Sequence, residues 1–221
     1  MSRLPWSSRM AALASLTDEK RLQLFEFVAA SPHAVGRDEV AQAAGIPRST
    51  VSFHLDRLVQ DGLLAVEFHK PPGRTGPGSG RPAKMYRTIT GEIGASVPDR
   101  NYDLAGELLA AAIERSQSLD EPVGEALRQA AFDKGRELGE GAESLEEFLA
   151  GAGYRPEPDG AGGFLLPNCP FHRLSRAHAG VVCSMNGAFL QGAAVGCGSS
   201  AERVAAADEP EHCCARITSG G

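Results

Sequence analysis

Gly45 constrains this chain more than any other residue, because it separates two short apolar patterns that cannot continue into one another. Val40, Ala41 and Ala44 predict a helix over residues 38–44, and a glycine at its end supplies the backbone freedom that stops it. Only Ile46 intervenes before Pro47 and Arg48 open a second helix, in which Val51, Leu55 and Leu58 form an inward stripe at i, i+4 and i+7. Gly62 closes that helix. Upstream, Leu22, Phe25 and Val28, widened by Leu24 and Phe27, predict a buried helix over residues 17–30. Thr17 is its expected N-cap, and Ser31-Pro32 ends it because a residue before proline avoids helical backbone.

Two helices joined by a glycine turn form a helix-turn-helix, whose second helix can enter a major groove. With Val51, Leu55 and Leu58 inward, Arg48, Ser49, Thr50, Ser52, His54 and Arg57 are expected to face outward. Hydroxyls at a helix N-terminus suit phosphates, and arginine reads guanine edges. Arg48, Thr50, Ser52 and His54 are expected nearest to DNA. Any of these residues alone would equally suit a solvated helix face. Strand-like runs at residues 63–68 and 85–89 flank a Gly/Pro-rich segment in which Lys70, Arg74, Arg81 and Lys84 have no acidic neighbour. Such a basic hairpin tip can lie along phosphates as a wing.

The run Ala-Gly-Ile-Pro-Arg-Ser-Thr-Val-Ser-Phe-His-Leu at residues 44–55, followed by Leu58, Gly62-Leu63-Leu64 and Gly80-Arg81-Pro82, resembles the winged-helix repressors of the arsenic-repressor type. The resemblance implies a dimeric regulator that binds a palindromic double-stranded DNA operator, with residues 48–57 as the recognition surface.

Charge divides the chain. Residues 1–90 hold 12 Lys and Arg against 8 Asp and Glu, and the remainder holds 10 against 20. A basic module followed by an acidic one fits a DNA-binding domain with a separate regulatory domain. No apolar run approaches the roughly 20 residues of a membrane span, and residues 1–10 contain no apolar secretory core, so a cytoplasmic protein without membrane contact is expected.

All five cysteines, Cys169, Cys183, Cys197, Cys213 and Cys214, fall in the last quarter of the chain. The gaps of 13, 13 and 15 residues before the final pair exceed those of short zinc knuckles, so a folded domain must gather them. Thiolates select soft metals and iron–sulfur clusters. A disulfide scaffold is disfavoured by the odd count, and a set of buried inert thiols is the plain alternative. Before them, Tyr102, Ala105, Leu108, Leu109, Ala112 and Ile113 make a helical stripe suited either to a symmetry mate or to its own chain. Val123, Leu127, Ala130, Ala131 and Leu138 predict a second helix, and Leu145, Phe148 and Leu149 a third. A hairpin leads into Cys169, a helix over residues 174–190 carries Cys183, and a strand over 213–218 ends the chain. Strand alternation would send Cys213 and Cys214 to opposite faces, making Cys213 the expected ligand.

The stretches Asn-Cys-Pro-Phe-His from residue 168, Val-Val-Cys-Ser-Met-Asn from 181 and Cys-Cys-Ala-Arg-Ile from 213 resemble the C-terminal domain of iron–sulfur-responsive repressors of cluster-assembly operons. The resemblance implies a cluster on Cys169, Cys183, Cys197 and one of Cys213 or Cys214. Without Cys197, three cysteines with His172 or His178 could hold zinc or an incomplete cluster shell, and a regulator whose zinc is purely structural would take an organic effector. An enzyme using low-pKa thiols is the contrasting class, and no C-x-x-C pair, nucleotide-binding glycine loop or paired carboxylates support it. The expected fold is α+β and mainly helical, with a winged helix-turn-helix at 1–90, a linker and dimerisation helix at 91–120, and a small α+β cysteine-rich sensor domain at 121–221.

Overall fold

The computed structural model describes residues 4–69, 82–89, 92–207 and 213–220. These form two compact units, Pro5–Ala95 and a second made of Leu4 together with the described residues from Ser96 onward.

The first unit runs α1 (Trp6–Ser15), α2 (Glu19–Ala30), β1 (Val35–Gly36), α3 (Arg37–Ala44), α4 (Arg48–Gln60), β2 (Leu64–His69) and β3 (Ala83–Thr88). Its antiparallel sheet has the order β1-β3-β2, with Val35 opposite Tyr86 and Tyr86 opposite Val66. The three helices α2, α3 and α4, a small sheet and the antiparallel pairing of β2 with β3 make this the expected winged helix, with α1 added before it. The turn between α3 and α4 rests on Gly45, whose φ of 66° lies in the left-handed region open to glycine. Val51, Leu55 and Leu58 are fully buried with Leu24, Val40, Leu64 and Tyr86. Two elements went unread in the sequence, the α1 helix and the short β1 strand. The cap of α2 is Asp18, whose carboxylate accepts from the Arg21 N–H at 2.9 Å, whereas the Thr17 hydroxyl donates to Ala14 O. Leu22 is exposed, and the buried stripe of α2 is Leu24 and Val28.

The second unit contains α5 (Tyr102–Leu119), α6 (Val123–Glu140), α7 (Leu145–Ala152), β4 (Glu157–Pro158), β5 (Phe164–Leu165), α8 (His172–Ala177), α9 (Ala179–Gly196), a 3-10 turn (Ala201–Arg203), β6 (Val204–Ala206) and β7 (Ala215–Ile217). Its antiparallel sheet has the order β4-β5-β7-β6. Helices α6 and α9 cross at backbone contact. A Cβ on Gly192 would lie 1.9 Å from Phe132 O, and one on Gly135 2.0 Å from Phe189 O. Glycine is required at both positions by space alone. Helix α5 belongs to this core, packing Leu104, Ala105, Leu108 and Ala112 inward while Leu109 and Ile113 face out. The expected dimer stripe is thus divided between its own chain and the surface. The expected single helix over 174–190 is broken at His178, and α9 continues to Gly196. Strand β7 starts only at Ala215, so Cys213 and Cys214 precede it and the alternation expected to separate them does not operate.

Candidate nucleic-acid interface and cysteine centre

Helix α4 presents the reading surface of the first unit. Pro47 occupies its N-cap position, and the first side chains beyond it, Arg48 and Ser49, are exposed. Thr50 and Ser52 are half-buried. Arg48 Nε meets Asp38 Oδ1 at 2.7 Å, with both side chains well exposed. An ion pair in water is worth little, so Arg48 can exchange Asp38 for a DNA group. Arg57 Nε donates to Asp61 at 3.0 Å across one helical turn.

His54, expected outward, is 8% exposed and its Nδ1 has no hydrogen-bond partner. The reason is periodic: residue 54 lies three after Val51 and four before Leu58, on the inward side. The outward aromatic is its neighbour Phe53, 66% exposed, which the sequence reading passed over. The spacing from Val51, Leu55 and Leu58 contained that information. Lys84, expected on a phosphate, instead pairs with Asp56 of α4. Tyr86 OH donates to the same Asp56 oxygen at 3.0 Å, so the carboxylate ties the wing strand to the reading helix. Burial pushes the Tyr86 phenol up, and its bond to Asp56 adds to the shift. Lys70, Arg74 and Arg81 lie outside the described residues.

In the second unit, all five cysteines are free thiols. Four of them interact in sequence. Cys169 hydrogen-bonds with Cys213, Cys213 with Cys214, and Cys214 with Cys183. Bonds with Cys213 and the Phe171 backbone hold the Cys169 thiol below its usual range despite burial. The bond with Cys213, then those with Cys183 and Asn186, bring Cys214 down to about 6. Cys213 is pushed up by its bonds with Cys169 and Cys214, and burial followed by the Cys214 bond pushes Cys183 up to about 12. The run therefore alternates between thiols whose pKa is raised, Cys183 and Cys213, and thiols whose pKa is lowered, Cys214 and Cys169, of which Cys214 is largely thiolate at neutral pH.

Asn186, buried on α9, donates from Nδ2 to Cys213 Sγ at 3.1 Å and to Cys214 Sγ at 3.6 Å. Its carbonyl accepts from the Tyr154 hydroxyl. No sequence motif marked Tyr154 or Asn186 as part of this centre. Cys197, expected as a fourth ligand, has other neighbours: its Sγ donates to Gly139 O at 3.5 Å, and burial with the nearby Glu147 charge raises its pKa. It closes the C-terminal end of α9, 14 residues from Cys183 along the chain. Cys214 takes its place in the thiol run. His172 and His178, at either end of α8, are exposed. Among the described residues, no group of three or more His, Cys, Asp or Glu side chains is arranged to hold a metal ion. The chemistry of Cys169, Cys183, Cys213 and Cys214 nevertheless fits a soft metal: neighbouring sulfur donors, with the Cys214 pKa brought down to about 6 and the Asn186 amide directed at Cys213 and Cys214.

Residues 16–67 match the family model described as a helix-turn-helix domain. The match covers α2 to β2 and supports a DNA-binding transcriptional regulator rather than an enzyme. No curated protein and no solved structure matches the chain. Among the described residues, no helix is long and apolar enough to cross a membrane.

Proposed function

We propose that the chain is a cytoplasmic, homodimeric repressor that binds a palindromic double-stranded operator through residues 48–57. Its operator affinity is set by an iron–sulfur cluster held on Cys169, Cys183, Cys213 and Cys214. The observation that carries this reading is the run of four interacting thiols in the unit that follows a helix-turn-helix. Cys214 replaces Cys197 in the proposed ligand set because Cys197 faces Gly139 instead. A bound cluster would supply oxidant- and iron-sensitive chemistry to the regulator.

The chain's own residues prepare that site. Cys214, brought down to about 6, is largely thiolate at neutral pH, and Cys169 is shifted in the same direction, so ligation at these two displaces protons more readily than at Cys183 and Cys213. Asn186 donates to two of the sulfurs, and such bonds tune both ligand basicity and reduction potential. Reading two half-sites on one face of DNA requires a two-fold axis, and the outward Leu109 and Ile113 of α5 offer an apolar surface for it. Zinc is the competing occupant, since four thiolates also satisfy its tetrahedral preference.

Anaerobic purification followed by iron, sulfide and zinc assays, with operator binding before and after air exposure, tests the reading. Iron with equimolar sulfide, lost together with operator affinity, is expected. Stoichiometric zinc without sulfide would transfer the site to a structural metal. A metal-free protein with unchanged DNA binding would overturn the cofactor altogether.

A further inference from the structure

We infer that Phe53 reads thymine, by placing its phenyl ring against the C5-methyl group of a T·A pair in the major groove. The inference rests on the DNA-binding reading of α4 and gives that surface its sequence preference.

Helix α4 is buried along Val51, His54, Leu55 and Leu58. At 3.6 residues per turn, the side opposite that stripe is centred on Ser49, Phe53 and Gln60. Asp56, on the same side, is committed to Lys84 and Tyr86. Phe53 therefore stands in the middle of the reading face, one turn beyond Ser49, and two-thirds of its surface is open. Its ring meets the His54 ring edge-on at 5.4 Å and 72°, a contact that restricts how far the phenyl can swing. An open cleft of about 410 Å³ runs beside it, bounded by Ala11, Ala14, Arg21 and Arg57. The aromatic thus stands beside apolar α1 side chains and two guanidiniums, Arg21, whose Nε donates to Ser15 O at 2.6 Å, and Arg57, whose Nε donates to Asp61 at 3.0 Å.

A phenyl ring has no donor or acceptor. Of the groups that base pairs display in the major groove, the thymine methyl alone matches it. Against guanine, adenine or cytosine the ring would strip water from polar edges without replacing the lost hydrogen bonds. Preference for thymine then arises from attraction to one partner and rejection of the others.

The full chain is used to select duplexes from a random pool, and each thymine of the recovered site is then replaced by uracil, which removes only the methyl group. Wild type is expected to lose affinity on the order of fourfold at one thymine per half-site, the value of one buried methyl. Phe53→Ala is expected to bind thymine and uracil equally there. Because Phe53 is mostly exposed, the variant should keep the wild-type melting curve, and Phe53→Leu should recover part of the methyl dependence. Wild type indifferent to every uracil substitution, or methyl dependence retained in Phe53→Ala, overturns the role of Phe53 while leaving DNA binding standing. A chain that selects no duplex overturns the DNA-binding reading and the inference with it.

Discussion

Tyr154 donates its hydroxyl hydrogen to Oδ1 of Asn186, and this one bond fixes which end of the Asn186 amide faces the sulfurs of Cys213 and Cys214. Tyr154 is fully buried, and burial pushes its phenol well above the ordinary value, so it remains a donor across the accessible pH range. Tyr154→Phe leaves a buried carbonyl without a partner. A loss of about 1–3 kcal/mol is expected in denaturant unfolding. Asn186→Leu removes both polar groups of the amide and leaves the Tyr154 hydroxyl unsatisfied, so it should destabilise comparably and also lower the thiol reactivity at Cys214. A Tyr154→Phe variant with wild-type stability would show that the hydrogen bond contributes nothing net.

Reactivity of the individual cysteines separates the two kinds of thiol in the run. The thiolate is the nucleophile, so alkylation rate follows its fraction. Cys214, brought down to about 6 first by its bond with Cys213, should react with iodoacetamide along a curve that rises through pH 6 and is flat above pH 8. Cys183, pushed up to about 12 chiefly by burial, should be nearly inert at neutral pH although it is only half-buried. Peptide mass spectrometry of the metal-free protein, quenched at intervals, gives each rate. A Cys214 curve centred near pH 9 would mean that its neighbours do not stabilise the thiolate.

The first unit was legible because short-range rules govern it. Gly45, Pro47 and the stripe Val51, Leu55, Leu58 each specify local backbone, and the structure places the turn and reading helix within a residue of expectation. The departures there were of face and extent: His54 was expected outward although the helical period puts it inside, Leu22 was expected inward although it is exposed, and α1 and β1 had no pattern strong enough to mark them. The thiol centre was only half legible. Which cysteines meet depends on where β7 begins and where α9 ends, and both are set by tertiary packing. Starting β7 at Ala215 frees Cys213 and Cys214 from strand alternation, and carrying α9 to Gly196 takes Cys197 toward α6. The glycines that permit α6 and α9 to touch have no local signature, because Gly135 and Gly192 sit in the middle of helices that glycine itself disfavours.

That crossing makes a sharp stability prediction. In Gly192→Ala the new methyl would overlap Phe132 O, a backbone atom that cannot rotate away, so the two helices must separate. A loss of about 3 kcal/mol or more is expected. Gly187→Ala on the same helix meets nothing within 4 Å and should gain roughly 0.5–1 kcal/mol from helix propensity. Urea unfolding of both variants checks the pair. Equal effects would show that close backbone approach is not what requires glycine at residue 192.

The outward side of α5 tests the assembly. Leu109 is 37% exposed and Ile113 51% exposed, one turn apart, while Leu108 is 2% exposed in the core of its own chain. Leu109→Asp in an isolated chain places a carboxylate in contact with water at little cost. In a dimer seam it buries that charge without a partner, twice per assembly because a two-fold axis repeats it. Sedimentation should then report monomers for Leu109→Asp, with helical content and melting temperature of the subunit close to wild type and weakened binding to a palindromic site. Leu108→Asp should instead unfold the second unit, because the charge enters a core already packed against α6. If Leu109→Asp remains dimeric at micromolar concentration, the two-fold contact lies on another surface, and α5 serves only to close the core of its own unit.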